Sequence, residues 1–434
     1  MSENTQRSRR GVLKASAVIA GAAMVNSFIT QAAHAASGDT IKIGLIGCGG
    51  RGTGAAAQAI AAKTGPVEIV AVADAFMDNA KGAVAGLKRA APDSVKVTDE
   101  TIFAGFDAYK KVIDSGVDMV IIATPPGFRP IHFEYAVQAG KHIFAEKPVA
   151  TDAAGIRKFL AAAVEAKKKN LKVGIGLQRH HQATYIETIK KLQDGAIGDI
   201  ILTRAYWNGT RPWVRPRKPG QTEMEYQMRN WYYFNWLCGD HINEQHIHNL
   251  DVINWLKNGH PVEAQGQGGK QVDTGIDSGE IYDHHMVEYT YADGSKLLSE
   301  CRHQQNTWQS VSEHAHGTKG TADISGQNYT LNDGTKWKSS AKGIDPYVQE
   351  HIDLQTAIRN SVDYSEAEYG AHSTFTSILG RMATYSGKVV RWDDALAKGP
   401  SLMPAEFSFD AKPPTVPDEN GKYPIPMPGK YIPY

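Results

Sequence analysis

The chain has 434 residues, 41% of them hydrophobic, which suits two domains with their own cores better than one. Its 47 basic and 46 acidic residues leave a formal net charge of +1. So even a balance carries no electrostatic footprint for nucleic acid or for an anionic membrane, and it suits a small, uncharged substrate.

Residues 1–36 read as a removable export signal. Ser8-Arg9-Arg10-Gly11-Val12-Leu13-Lys14 is a twin-arginine pattern, an apolar Ala-rich run follows from Ala15 to Ile29, and Ala33-His34-Ala35 offers a cleavage site. The apolar run falls short of the roughly 20 residues a spanning helix needs, so no stable membrane span is expected. The mature protein is expected in the periplasm or otherwise exported. Cys48, Cys238 and Cys301 are too few and odd in number for a disulfide framework. That fits an export route that carries proteins already folded, with a cofactor loaded beforehand.

Thr40 to Ile46 is a β-branched run and predicts a buried strand. Gly47-Cys48-Gly49-Gly50-Arg51-Gly52 follows at once and satisfies G-x-G-x-x-G, ahead of a helix over Thr53 to Ala62. Gly47 permits the tight turn, Gly49 lets the backbone approach a pyrophosphate, and Gly52 lets helix and strand pack closely. A second strand, Glu68 to Ala73, ends in Asp74, where an acid bonds the adenosine ribose hydroxyls. An acid there repels a 2′-phosphate, so NAD is expected over NADP, although Arg51 weakens that preference slightly. The alternation continues with strand Val117 to Ala123, the breaker Thr124-Pro125-Pro126-Gly127, helix Pro130 to Ala139, and strand His142 to Ala145. Glu146-Lys147-Pro148, helix Asp152 to Asn170 and strand Leu171 to Leu177 follow. Residues 40–178 therefore predict an α/β Rossmann domain, a doubly wound parallel sheet. Thr124, Pro125, Glu146 and Lys147 fall at carboxyl ends of strands, where such folds bind ligands.

With GCGGRG after the first strand, ATPP at Ala123 to Pro126, AEKP at Ala145 to Pro148 and His248-Asn249-Leu250-Asp251 further on, the chain resembles the Gfo/Idh/MocA family of oxidoreductases. The resemblance implies that Lys147 touches both nicotinamide and substrate, and that His248 is the acid-base residue. It also implies sugar, cyclitol or glycoside substrates and a homo-oligomer, dimer or tetramer. The family often has Asp four residues before that histidine; this chain has Glu244.

Residues 179–412 read as an α+β substrate and oligomerisation domain with a mainly antiparallel sheet. A helix is expected over His181 to Asp194. Strands follow over Asp199 to Trp207, Val262 to Gly268, His284 to Tyr291, Lys296 to His303 and Val311 to His316, with helices over Pro346 to Asn360 and Gly370 to Gly387. Residues 413–434, rich in Pro and Tyr, predict an extended arm on this or a neighbouring subunit. If His241 to Asp251 is one helix, His241, Glu244, His248 and Asp251 share a sector of roughly 80°, and Glu244 can touch His248. A carboxylate there raises imidazole basicity. Three histidines and a glutamate raise the question of a metal, but H-E-x-x-H is absent and none is expected. Arg179, His180, Trp213 and His241 are the candidate substrate contacts. Trp213 sits in a stretch, Tyr206 to Trp236, whose Trp and Arg residues suit either a cleft cover or a subunit contact.

Three functions remain on these residues. The first is NAD-dependent oxidation of a secondary hydroxyl, with the NAD tightly held and recycled in place because free NAD is scarce outside the cytoplasm. The second is glycoside hydrolysis by transient oxidation, elimination, water addition and reduction, as in relatives that lack the EKP lysine. The third is a sugar-binding protein that keeps NAD structurally; Lys147 and His248 together argue against it.

Overall fold

A computed structural model describes residues 40–434, so the expected export signal, 1–36, lies outside the described residues. In the first half the chain runs β1 (Ile41–Ile46), α1 (Gly50–Ala61), β2 (Val67–Asp74), α2 (Met77–Ala90), β3 (Ile102–Ala104), α3 (Ala108–Ile113), β4 (Met119–Ile122), α4 (Arg129–Gln138), β5 (His142–Ala145), α5 (Ala153–Lys168) and β6 (Val173–Ile175). The six strands form one parallel sheet in the order β3-β2-β1-β4-β5-β6. The order reverses between β1 and β4, and that crevice is where such sheets bind ligands. Ile43, Leu45, Met119 and Ile121 are fully buried, as a sheet covered on both faces requires. Asp152 caps α5 by accepting from Gly155 N at 2.6 Å, worth about 1 kcal/mol.

The second half runs α6 (Ala183–Gln193), β7 (Ile200–Gly209), α7 (Glu223–Arg229), α8 (Asn235–Cys238), α9 (His241–Glu244), α10 (Ile247–Lys257), β8 (Glu263–Gly269), β9 (His284–Thr290), β10 (Lys296–His303), β11 (Ser310–Gly317), β12 (Gly320–Asp323), β13 (Asn328–Leu331), β14 (Lys336–Lys338), α11 (Pro346–Arg359), α12 (Ala367–Ser386), β15 (Val390–Arg391) and α13 (Trp392–Lys398). Its nine strands run β14-β13-β12-β11-β7-β10-β9-β8-β15. All neighbours are antiparallel except β7 and β10. Helix α12 is the buried spine behind this sheet: Phe375, Ile378, Leu379 and Ala383 are wholly enclosed.

Helix α11 does not stay with the second sheet. Its Leu354 joins the first domain's core beside Ile43, Ala55 and Phe144, and Gln355 Nε2 donates to Ala59 O at 2.8 Å. The chain thus returns to cover α1. The last residues pack on their own chain. Tyr423 meets Phe234 edge-on, with centroids 4.9 Å apart, and Tyr282 Oη donates to Pro426 O at 2.8 Å. Among the described residues no helix is long and apolar enough to cross a membrane.

Candidate active site

The turn after β1 is built for a phosphate. Gly47 holds φ +96°, and a Cβ there would meet Ala123 C and Thr124 N at 2.5 Å. A Cβ on Gly52 would lie 1.9 Å from Gly47 O, so only glycine lets α1 start against β1. Gly49 and Gly50 have nothing within 4 Å of a Cβ: their side of the loop is open. That asymmetry, tight behind and open in front, fits a pyrophosphate on the N-terminus of α1.

The loop opens into a cavity of about 330 Å³. Its lining includes Gly47, Gly49, Gly50, Arg51, Gly52, Asp74, Thr124 and Pro125; of the expected cofactor contacts, Glu146 and Lys147 do not line it. Asp74 is set by three donors: Cys48 N at 2.8 Å, Phe76 N at 3.0 Å and Asn79 Nδ2 at 3.1 Å. Arg51 is drawn away from Asp74. Its Nε donates to Glu146 Oε1 at 2.6 Å, its Nη2 to Gln58 Oε1 at 2.7 Å, and Glu350 lies 3.9 Å off. The guanidinium expected to soften the preference for NAD is therefore held by other partners.

Two segments of the chain roof this cavity. Trp213, Arg215, Met228, Arg229 and Trp231 line it from the stretch between β7 and α8. Arg229 lies over the Phe76 ring at 3.8 Å and pairs with Asp78 at 3.1 Å. From beyond α13, Phe409 packs on Phe76 and Phe106, with centroids 5.4 and 5.0 Å apart, and Phe407 packs on Phe128 at 5.7 Å. Trp213, expected to touch substrate, lines the dinucleotide cavity, whose lining does not include Lys147 or His248. In sequence, the Trp and Arg residues of the stretch suited a cover and a subunit contact equally. The phenylalanines and Asn79 gave no signal.

At the end of β5, Lys147 Nζ donates to Glu244 O at 2.6 Å and to its Oε1 at 3.3 Å. The expected contact between Glu244 and His248 is thus replaced by one with Lys147. The reason is local: the stretch is two helices, not one. His246 N reaches back to His241 O at 3.3 Å, one residue more than an α-turn, and the axis restarts at Ile247. The His246 ring anchors that break, with Nε2 2.7 Å from Ser299 Oγ on β10. The shared sector of roughly 80° therefore does not form.

His248 is 8% exposed and packs its ring against Trp207, centroids 5.9 Å apart; its Nδ1 has no hydrogen-bond partner. Burial, then the positive charges of Lys147, Arg179 and Arg51, hold its pKa well below the ordinary histidine range, so the ring is neutral. Glu244 moves the other way. Burial raises its carboxyl, and Lys147 and Arg129 only partly offset this. A fixed ammonium beside a neutral imidazole can hold a hydroxyl oxygen and accept its proton.

Of the other expected substrate contacts, Arg179 and His180 have internal partners and His241 is buried. Arg179 pairs with the buried Glu313 at 2.5 Å. His180 is stacked between Trp255 and Tyr369, centroids 4.3 and 4.4 Å away, with Nε2 2.9 Å from Asp251 Oδ2. Asp251 therefore serves His180, and not His248. His241 is fully enclosed beside Asp240. For Arg179 and His180 a carboxylate distant in sequence took the side chain.

Two family models match, the NAD-binding Rossmann fold of the GFO/IDH/MocA oxidoreductase family over residues 41–175 and its C-terminal domain over 185–323. An inositol 2-dehydrogenase of Rhizobium meliloti is 26% identical over 289 residues, 66% of this chain and 76% of that protein. Further inositol 2-dehydrogenases align over little more than half of their own length. Among solved structures, a levoglucosan dehydrogenase in complex with NADH and levoglucosan superposes with a TM-score of 0.64 at 18% identity, covering 81% of this chain and 99% of that one. An aldose-aldose oxidoreductase from Caulobacter crescentus, complexed with glycerol, gives 0.62 at 19% identity over 81% and 100%. At these identities the structural likeness speaks for the fold.

Proposed function

The chain belongs to the Gfo/Idh/MocA family of oxidoreductases, and from that premise we propose that it oxidises a secondary hydroxyl of a sugar, cyclitol or glycoside, with tightly held, internally recycled NAD. The observation that carries this is the Lys147 ammonium, fixed on Glu244 at 2.6 and 3.3 Å in the neighbourhood of a neutral, buried His248. The Gly-rich turn, Asp74, Thr124 and Pro125 would hold NAD, which supplies the hydride acceptor when bound. Lys147 orients the substrate oxygen and stabilises its developing negative charge. The neutral His248 ring takes the hydroxyl proton. Glu244 positions Lys147 and keeps Oε2, which has no hydrogen-bond partner, for a further hydroxyl.

Tight retention rests on the roof. A dinucleotide in this cavity lies under Trp213, Arg229 and Trp231 on one side, and the Phe76–Phe106 pair is backed by Phe409 on the other. Both segments must move before it leaves. Retention also suits export by the twin-arginine route, which the signal in residues 1–36 supports. In solution we place the chain in a dimer or tetramer paired through the outer face of the second sheet, where Met286 and Trp308 stand exposed.

The test uses the purified mature protein. Denaturation should release about one NAD per chain, and sugars added to the native protein should raise bound NADH absorbance without added cofactor. Steady nitrophenol release from nitrophenyl glycosides with no net NADH would replace this reading by redox-cycling hydrolysis. A protein that neither carries nor binds NAD would end it.

A further inference from the structure

Away from Lys147 and His248, the turn into α9 gathers donors that the proposed chemistry leaves idle. Gly239 and Asp240 both hold positive φ, 77° and 74°, a strained pair that brings Asp240 and His241 against β9. Asp240 Oδ1 lies 2.7 Å from His241 Nδ1 and 3.2 Å from His285 Nε2. Neither contact has the angle of a hydrogen bond: both ring nitrogens of His241, and Nε2 of His285, are buried without a hydrogen-bond partner. The three residues are 0, 0 and 2% exposed, so bulk solvent does not reach those atoms.

The far atoms of Asp240 and His285 are occupied. Asp240 Oδ2 accepts from Tyr282 N at 2.9 Å and from Tyr385 Oη at 2.5 Å. His285 Nδ1 partners Thr384 Oγ1 at 2.9 Å. Asp240 Oδ1 accepts from His241 N and keeps a second lone pair, and an imidazole or carboxylate held from its outer side with a lone pair turned inward is the arrangement that orients metal ligands. One carboxylate oxygen and two imidazole nitrogens lie within 4.8 Å of one another. Metal–ligand bonds of about 2.0–2.1 Å set tetrahedral neighbours about 3.3 Å apart. The 3.2 Å pair already meets that spacing, and the 2.7 Å pair needs a small opening. Cys301, paired with His285 across the β9–β10 ladder and buried, is a further soft donor beside them.

We propose that Asp240, His241 and His285 bind a divalent cation of the zinc type, which clamps the start of α9 to β9. Two nitrogens and one oxygen select zinc over magnesium or calcium. The role is structural, since the ion is enclosed and the element it fixes carries Glu244. Sequence separation hid the site: His285 stands 44 positions after His241, outside any short ligand motif.

The experiment is elemental analysis of the full-length protein, purified and also refolded from denaturant with equimolar Zn²⁺. One zinc per chain is expected, resistant to dialysis, falling at least tenfold in His285→Gln and Asp240→Asn. Refolding with Co²⁺ should give the visible absorption of a tetrahedral site. A wild-type chain that holds no zinc either as purified or after refolding overturns the proposal, whether or not the variants fold. Zinc retained in both variants overturns it as well.

Discussion

Lys147 Nζ is held by two acceptors of one residue, the main-chain oxygen of Glu244 at 2.6 Å and its Oε1 at 3.3 Å. An ammonium has three N–H donors, so one remains for a substrate oxygen. Both side chains are largely buried, 14% and 12% exposed, which keeps the pair out of the screening that weakens surface ion pairs. Lys147→Ala is expected to lower kcat by about 10²–10³-fold while the dissociation constant for NAD moves little. Glu244→Gln keeps the main-chain acceptor and should cost about tenfold. Single-turnover NADH formation, set beside NAD titration, separates the two quantities. Equal losses in both would mean that Lys147 is only part of the cofactor site.

His248 should show its neutrality in a pH profile. Burial and the Lys147, Arg179 and Arg51 charges depress its pKa, and the base form is the unprotonated one. Activity is therefore present above the depressed pKa and lost only as pH falls through it. We expect kcat/KM of the wild type to show no limb near 6.5, the ordinary histidine value. An acid limb centred there, absent in His248→Asn, would contradict the depressed pKa. The same variant should lose about 10²–10⁴ in kcat.

Much of the first domain was legible because its signals are local. β-Branched runs, glycines at fixed spacing and an acid at the end of β2 need no distant partner to be read. The strand His142 to Ala145 is found with those bounds. What the sequence hid depends on contacts between remote residues. The break between α9 and α10 is anchored by His246 bonding to Ser299, 53 positions away, and no helical periodicity reveals that. Arg179 has Glu313 as its partner, 134 positions on, so a cleft-facing arginine is in fact buried against its own sheet. The short strands β3, β12, β13 and β14 carry too few residues for a period to show, and α11 joins the first core only through tertiary packing.

Two glycines three residues apart should fail in different ways. Gly49 has φ −72° and open space beyond a Cβ, so Gly49→Ala should leave stability within about 0.5 kcal/mol. It narrows the approach of a pyrophosphate, and NAD affinity should drop at least about tenfold, 1.4 kcal/mol. Gly52→Ala places a methyl 1.9 Å from Gly47 O, backbone that cannot step aside. That variant should lose about 2–4 kcal/mol of stability before binding is considered. Thermal unfolding with and without NAD distinguishes the two. A Gly49→Ala chain that binds NAD normally would move the phosphate site elsewhere.

The pair of carboxylates around His181 ties stability to alkaline pH. Nδ1 lies 2.6 Å from Asp353 and Nε2 3.1 Å from Glu366. Burial opposes the charged ring, but the two carboxylates outweigh it and push the pKa up to about 10. A histidine raised in the folded state contributes its full stabilisation below the unfolded value of about 6.5, and loses it as pH rises through the folded value. The contribution is about 3 kcal/mol after allowing for the relaxation of a buried cluster. Wild-type Tm should therefore fall between pH 7 and pH 10, and the gap to His181→Gln should shrink over the same range. The pair links α11 to the first residues beyond β6, so the loss should be seen as early exposure of that helix to hydrogen exchange. A gap that holds constant to pH 10 would mean that His181 is neutral in the folded chain and contributes through shape alone.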